Sequence, residues 1–162
     1  MDRTRSRLPG RAATGLALTD DVHLEHHAQR WSVPIERPTK GSAVAERTAA
    51  VIWDVLSQIE DRIFLWNVFP LHPHEVDDPF SNRMHNSRER EAGLQLLKLL
   101  IDLLQPRRLV AIGNDAALAA VRVASTDLPV VKVRHPSYGG QTEFLQKVAL
   151  LHGLQPKTAS LF

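Results

Sequence analysis

The apolar positions fall into one long run and two shorter ones, each ended by a break into polar or Pro/Gly-rich sequence. The longest is Phe64-Leu65-Trp66-Asn67-Val68-Phe69, followed by Pro70-Leu71-His72-Pro73-His74. Its continuous apolar character predicts a buried strand over 63–69, covered on both faces. Residues 108–112 and 130–134 predict two further strands. Between them the spacing changes to that of helices. Ser42 is placed to cap a helix running to about Glu60, with Val44, Thr48, Ile52, Val55 and Ile59 on one stripe. Asn86 followed by Glu89 forms a capping box. It opens a helix to about Leu104 that turns Leu94, Leu97, Leu100, Ile101 and Leu104 inward, until Pro106 stops it. A short helix is predicted over 115–122, started by Gly113-Asn114, and a last one over 141–152 with Phe144, Val148 and Leu151 inward.

Residues 13–40 read as loop, with Pro34, Pro38 and Gly41 as breakers. Residues 70–86 read as a long polar loop, and in a compact domain a loop of that length is more often functional than idle. Strands alternating with helices predict an α/β fold, a three-layer α/β/α arrangement around a short parallel sheet. The length of 162 residues suits a single domain over 13–162, preceded by a flexible basic arm over 1–12 that carries Arg3, Arg5, Arg7 and Arg11. That arm is either a contact to a nucleic-acid backbone or simply an unstructured start.

Composition narrows the chemistry. Cysteine is absent, which excludes disulfides, thiolate zinc sites, cysteine nucleophiles and Cys-ligated iron–sulfur clusters. His23, His26 and His27 sit together without further ligands in a recognisable pattern, so no metal is expected. No apolar run reaches membrane-spanning length and the N-terminus lacks the apolar segment of a signal peptide, so a cytoplasmic protein with no membrane partner is expected. The net charge is only +2, yet residues 107–134 hold five basic residues against two acidic ones. This excess suits a phosphate-bearing partner, and equally a solvated face.

In parallel α/β sheets ligands bind beyond the carboxyl ends of the strands. Asn67, Gly113 and His135 all stand at such ends. A side-chain amide offers one acceptor and two donors in a plane, so Asn67 can read a planar ligand edge that alternates carbonyl and N–H. His135 can donate to an oxygen that gains charge as a bond breaks. Ser137, the Gly139-Gly140 pair and the helix that follows offer a hydroxyl, close backbone approach and free N–H groups to a phosphate. Taken alone, a strand-end Asn is also a turn former and a lone His also a structural residue.

The order of these segments resembles the uracil-DNA glycosylase superfamily over most of residues 12–152. The matching pieces are Thr14-Gly15-Leu16-Ala17-Leu18-Thr19, Trp66-Asn67-Val68-Phe69-Pro70, Ser81-Asn82-Arg83 with Glu89, Leu109-Val110-Ala111-Ile112-Gly113, and Arg134-His135-Pro136-Ser137. The resemblance implies that Asn67 reads the uracil edge and that His135 stabilises negative charge on the departing base. It implies that Leu18 stands where the family often stacks an aromatic on the uracil. Arg134, Pro136, Ser137, Tyr138, Gly139 and Gly140 would press into DNA at a flipped nucleotide. The partner implied is DNA carrying uracil or a related damaged base, the reaction is hydrolysis of its N-glycosidic bond, and no cofactor is implied. The family's first strand, with a Gly-rich, water-positioning loop, should precede Thr14, where only Met1–Ala13 stands. The expectation is therefore a sheet that lacks its first strand and a chain truncated before that motif. Two alternatives remain open: a relative that binds DNA or uracil without turnover, and a generic α/β nucleotide-binding protein.

Overall fold

The computed structural model describes residues 16–37, 42–71, 73–78, 81 and 83–155. The arm expected over 1–12, Ala13-Thr14-Gly15, Pro38, Gly41, His72, Pro79 and Asn82 lie outside the described residues. The chain divides into two compact units, Met1–Leu65 and Trp66–Phe162. The order of elements is α1 (Asp21–Trp31), α2 (Arg47–Leu56), α3 (Ser87–Leu104), β1 (Leu109–Ile112), α4 (Asn114–Val123), β2 (Val130–Val133) and α5 (Gln141–Leu151). Among the described residues five helices and a short two-stranded parallel sheet make a small α/β fold. None of the described helices is long and apolar enough to cross a membrane.

In the first unit, α1 and α2 pack together. The α1 helix occupies a stretch whose sequence reads as loop. Its inward positions are partly histidines, so the apolar stripe is masked. His23 stacks on Trp53 with ring centroids 6.2 Å apart, and His27 lies 4.8 Å from the same ring. Asp20 caps the helix by accepting from the His23 backbone N–H at 2.8 Å. The same carboxylate, wholly buried, accepts from the His23 ring and, at 2.6 Å, from the Glu46 N–H. Asp21, also wholly buried, takes the Val44 N–H at 3.4 Å. These bonds explain why α2 begins at Arg47 rather than after Ser42: the N–H groups of 44 and 46 are held by α1, not by a helical turn. At the other end Arg30 donates to the Ser57 and Ile59 carbonyls, both at 2.8 Å, and so ends α2 at Leu56, short of Glu60. The expected stripe holds at its core, with Ile52, Val55 and Ile59 buried.

In the second unit, β1 and β2 pair in parallel from Leu109↔Val130 to Ile112↔Val133. Helices α4 and α5 pack on the sheet and α3 packs on α4. The Asn86–Glu89 capping box is present as expected. Phe144 and Val148 are buried, whereas Leu104 is exposed. The expected buried strand over 63–69 is not one. The segment has no strand or helix assignment and Phe64 is 58% exposed. Among the described residues no strand pairs with it, and without a ladder the apolar run stays irregular.

Asp20→Ala should cost about 2–3 kcal/mol in guanidinium denaturation, because it removes a cap and takes the acceptor from the part-buried Glu46 N–H. Burial alone would raise the Asp20 pKa, but the Glu46 and His23 hydrogen bonds override it and hold the group below its ordinary 3.8. Its contribution is therefore full above pH 3.8 and declines as the pH falls below that value.

Candidate functional site

His135 follows β2, and the loop behind it is closely set. The Ser137 backbone N–H donates to His135 Nδ1 at 3.2 Å, and the Ser137 hydroxyl meets the same nitrogen at 2.7 Å. A backbone N–H can only donate, so Nδ1 must be an acceptor and the ring proton sits on Nε2. Burial lowers the His135 pKa below the ordinary 6.5, which acts in the same direction. The result is a neutral imidazole, half-buried, with an Nε2–H that has no hydrogen-bond partner among the described residues.

The glycines of this region have separate duties. Gly113, at φ +90°, starts α4 beside the histidine: a Cβ added there would lie 3.6 Å from His135 Cβ. At Gly140 a Cβ would fall on the His135 carbonyl oxygen and 3.0 Å from the Arg134 side chain, so the missing side chain makes room for the protein's own backbone. Gly139, at φ +78°, has open space around it. Between them Tyr138 is 98% exposed and sits at φ +52°, a left-handed conformation costly to any residue with a Cβ. Arg134 supports the loop from below, donating to the Tyr138 carbonyl at 3.3 Å and pairing with Glu143 at 3.4 Å. Pro136 is buried under it.

Asn67 stands in the irregular stretch before the long loop. Its side-chain amide is half-buried and makes no hydrogen bond to any described residue. The backbone just after it lies hard against α3 at Gly93, where a Cβ would overlie the Val68 carbonyl. The loop that follows returns to the start of the same helix. Arg83 grips Glu89 with two bonds of 2.8 and 2.7 Å and donates from Nε to the His74 carbonyl at 3.1 Å. Ser81 adds bonds to the Glu75 N–H and the Asp78 carbonyl. The Arg83 guanidinium and the Asn86 N–H hold the Glu89 carboxyl down to about 2.

The second unit thus gathers His135, Gly113 and Arg134–Gly140 at the end of its sheet. It sets the backbone of Val68, the residue after Asn67, against α3 at Gly93, and no hydrogen bond joins Asn67 to His135 among the described residues. Leu18 belongs to the first unit. It is held at φ +57° in front of Thr19, whose hydroxyl accepts from the Trp53 indole at 3.0 Å. A cavity in that unit is lined by His27, Arg30, Trp31, Trp53 and Leu56 among others, and by none of the expected site residues. Two parts of the site escape a reading of the sequence. Gly93 is visible only as a glycine inside a helix, a misfit of about 1 kcal/mol relative to Ala that calls for a packing reason. The Arg83–Glu89 grip is visible in the sequence only as two residues of a motif, without its geometry.

Because Glu89 is held below its ordinary 4.5, the grip is intact above that pH and weakens as the pH falls toward 2. Arg83→Ala should return the Glu89 titration, followed by carboxyl NMR, close to the ordinary value. An unchanged titration would show that the guanidinium is not what holds it.

Compared with known families, residues 23–153 match the model of the uracil DNA glycosylase superfamily. No curated protein matches the chain.

Proposed function

The chain belongs to the uracil-DNA glycosylase superfamily, and on that premise we propose that it recognises uracil in DNA through Asn67 and excises it with the help of His135. The observation that carries the reading is a pair of polar groups unclaimed among the described residues: the amide of Asn67 and the Nε2–H of His135. Uracil presents a carbonyl–N–H–carbonyl edge, which an Asn amide complements with one donor and one acceptor. As the N-glycosidic bond breaks, electrons move onto the ring and charge gathers on its oxygens. A neutral imidazole donating from Nε2 stabilises that charge without first having to lose a proton. Water adds to the sugar carbon, its second proton leaving to solvent or a nearby base, and the base departs as the anion or its protonated form.

The loop at Tyr138 supplies the contact to DNA. A fully exposed ring in a strained backbone position, beside a glycine with open space around it, suits insertion where a base has left the stack. Arg134, exposed and donating to the Tyr138 carbonyl, adds a cation beside it. A cytoplasmic location and a role in base excision repair are part of the same proposal.

A second reading is binding without turnover. Two carboxylates that follow the strands at this sheet end are engaged: Asp115 pairs with Arg90 at 2.6 Å and with His85 at 3.4 Å, and Glu143 pairs with Arg134. Either of them would have to leave its pair to position a water.

Single-turnover cleavage of a uracil-containing oligonucleotide separates the two. The catalytic reading expects cleavage that falls by roughly 10²–10³ in His135→Ala, the loss typical of one charge-stabilising donor. Uracil-dependent binding without cleavage would leave the second reading standing. Equal affinity for uracil-containing and undamaged DNA would remove both. The pH profile adds a check. A neutral His135 stays competent as the pH falls below 6.5 and fails only at the lower folded pKa, so the acid limb should lie below that of a free histidine. Tyr138→Gly should relieve the left-handed strain without loss of stability, yet weaken DNA binding by about tenfold, as loss of one stacking ring does.

A further inference from the structure

We propose that Gly93 is a positioning residue for Asn67, an inference that rests on the reading of Asn67 as the base reader. The helix itself does not ask for a glycine there. Gly93 is buried in the second turn of α3, next to buried Leu94, and its backbone shows no positive φ. Glycine is the poorest helix former after proline, so the reason must come from outside the helix.

That reason is the chain beside it. A Cβ at position 93 would overlie the Val68 carbonyl oxygen, 3.1 Å from its carbon and 3.3 Å from the Phe69 Cα. These are backbone atoms, so no rotamer change relieves the clash and the segment itself must shift. Asn67 precedes Val68 directly and moves with it. The segment has no sheet ladder to hold it, as its residues carry no strand assignment. Its depth is set instead by how closely it can approach α3.

The same helix face holds the loop on the far side of Asn67. Glu89 and Gly93 are four residues apart and therefore lie one above the other. Glu89 receives Arg83, which in turn holds the His74 carbonyl. Gly93 receives Val68. One turn of α3 thus fixes the chain both at Val68, next to Asn67, and six residues further on, at His74. The carboxylate acts by attraction and the glycine by the absence of a side chain.

Three variants of the full chain test this. Gly93→Ala is expected to weaken binding of a uracil-containing oligonucleotide by roughly tenfold or more, the scale of a small misplacement, with affinity for the undamaged oligonucleotide little changed. Leu94→Val loosens the core at the next residue without adding an atom opposite Val68, and should keep the uracil preference. Val68→Gly frees the same backbone without altering α3, and should lose part of that preference even if Gly93→Ala does not fold. The Asn67 side-chain amide resonances, identified by their loss in Asn67→Ala, should shift in Gly93→Ala and stay in place in Leu94→Val. A retained uracil preference in folded Gly93→Ala or in Val68→Gly overturns the proposal, as do unmoved Asn67 resonances. If the wild-type chain shows no uracil preference, the base-reading function falls, and the Asn67 resonances alone decide whether Gly93 positions that residue.

Discussion

The carboxylate of Glu89 is the contact on which the second unit's polar loop depends. It closes the capping box with Asn86, and so starts α3 at a fixed residue. It also takes both arms of Arg83. A bidentate pair between a guanidinium and a carboxylate fixes orientation as well as distance. Through Arg83 the helix therefore governs the His74 carbonyl and the return of a loop that has little regular structure of its own. Cap, ion pair and loop anchor share one side chain, so the start of the helix and the path of the loop are set together.

The first unit solves a similar problem with a buried carboxylate. Asp20 would be costly in the interior alone, but it accepts from two backbone N–H groups and a histidine ring. Those bonds link the start of α1 to the approach of α2, while Arg30 ties the end of α1 to the carbonyls of Ser57 and Ile59 just beyond α2. The two helices are stitched at both ends by charged groups reaching backbone. Between the stitches, the rings of His23 and His27 lie against Trp53.

At His135 the decisive feature is local. A backbone N–H aimed at Nδ1 leaves the proton nowhere to sit but Nε2, and burial keeps a second proton off. The tautomer is thus set by the Pro136-Ser137 turn rather than by a distant partner. The same turn presents Tyr138 to solvent in a conformation that ordinary folding would avoid. Protonation state and loop strain are two consequences of one short sequence.

By itself the sequence determined what depends on neighbours along the chain. The Asn86–Glu89 cap, the extent of α3, α4 and α5, and the two short strands follow from periodicity and breakers within a few residues. The residues proposed to carry the chemistry, Asn67 and His135, stand out in the sequence because polar groups at the ends of apolar runs need a partner. The tertiary structure decided what depends on groups far apart in sequence. The run over 63–69 has the composition of a buried strand, but a strand exists only when another pairs with it. Helix α1 was hidden because its core positions are histidines, whose apolar role appears only once Trp53 stands opposite. The start of α2 moved because carboxylates more than twenty residues earlier claimed its N–H groups. Gly93 had no visible purpose until the backbone of Val68 was seen lying against it. In each case the missing information was the identity of the atom on the other side of the contact.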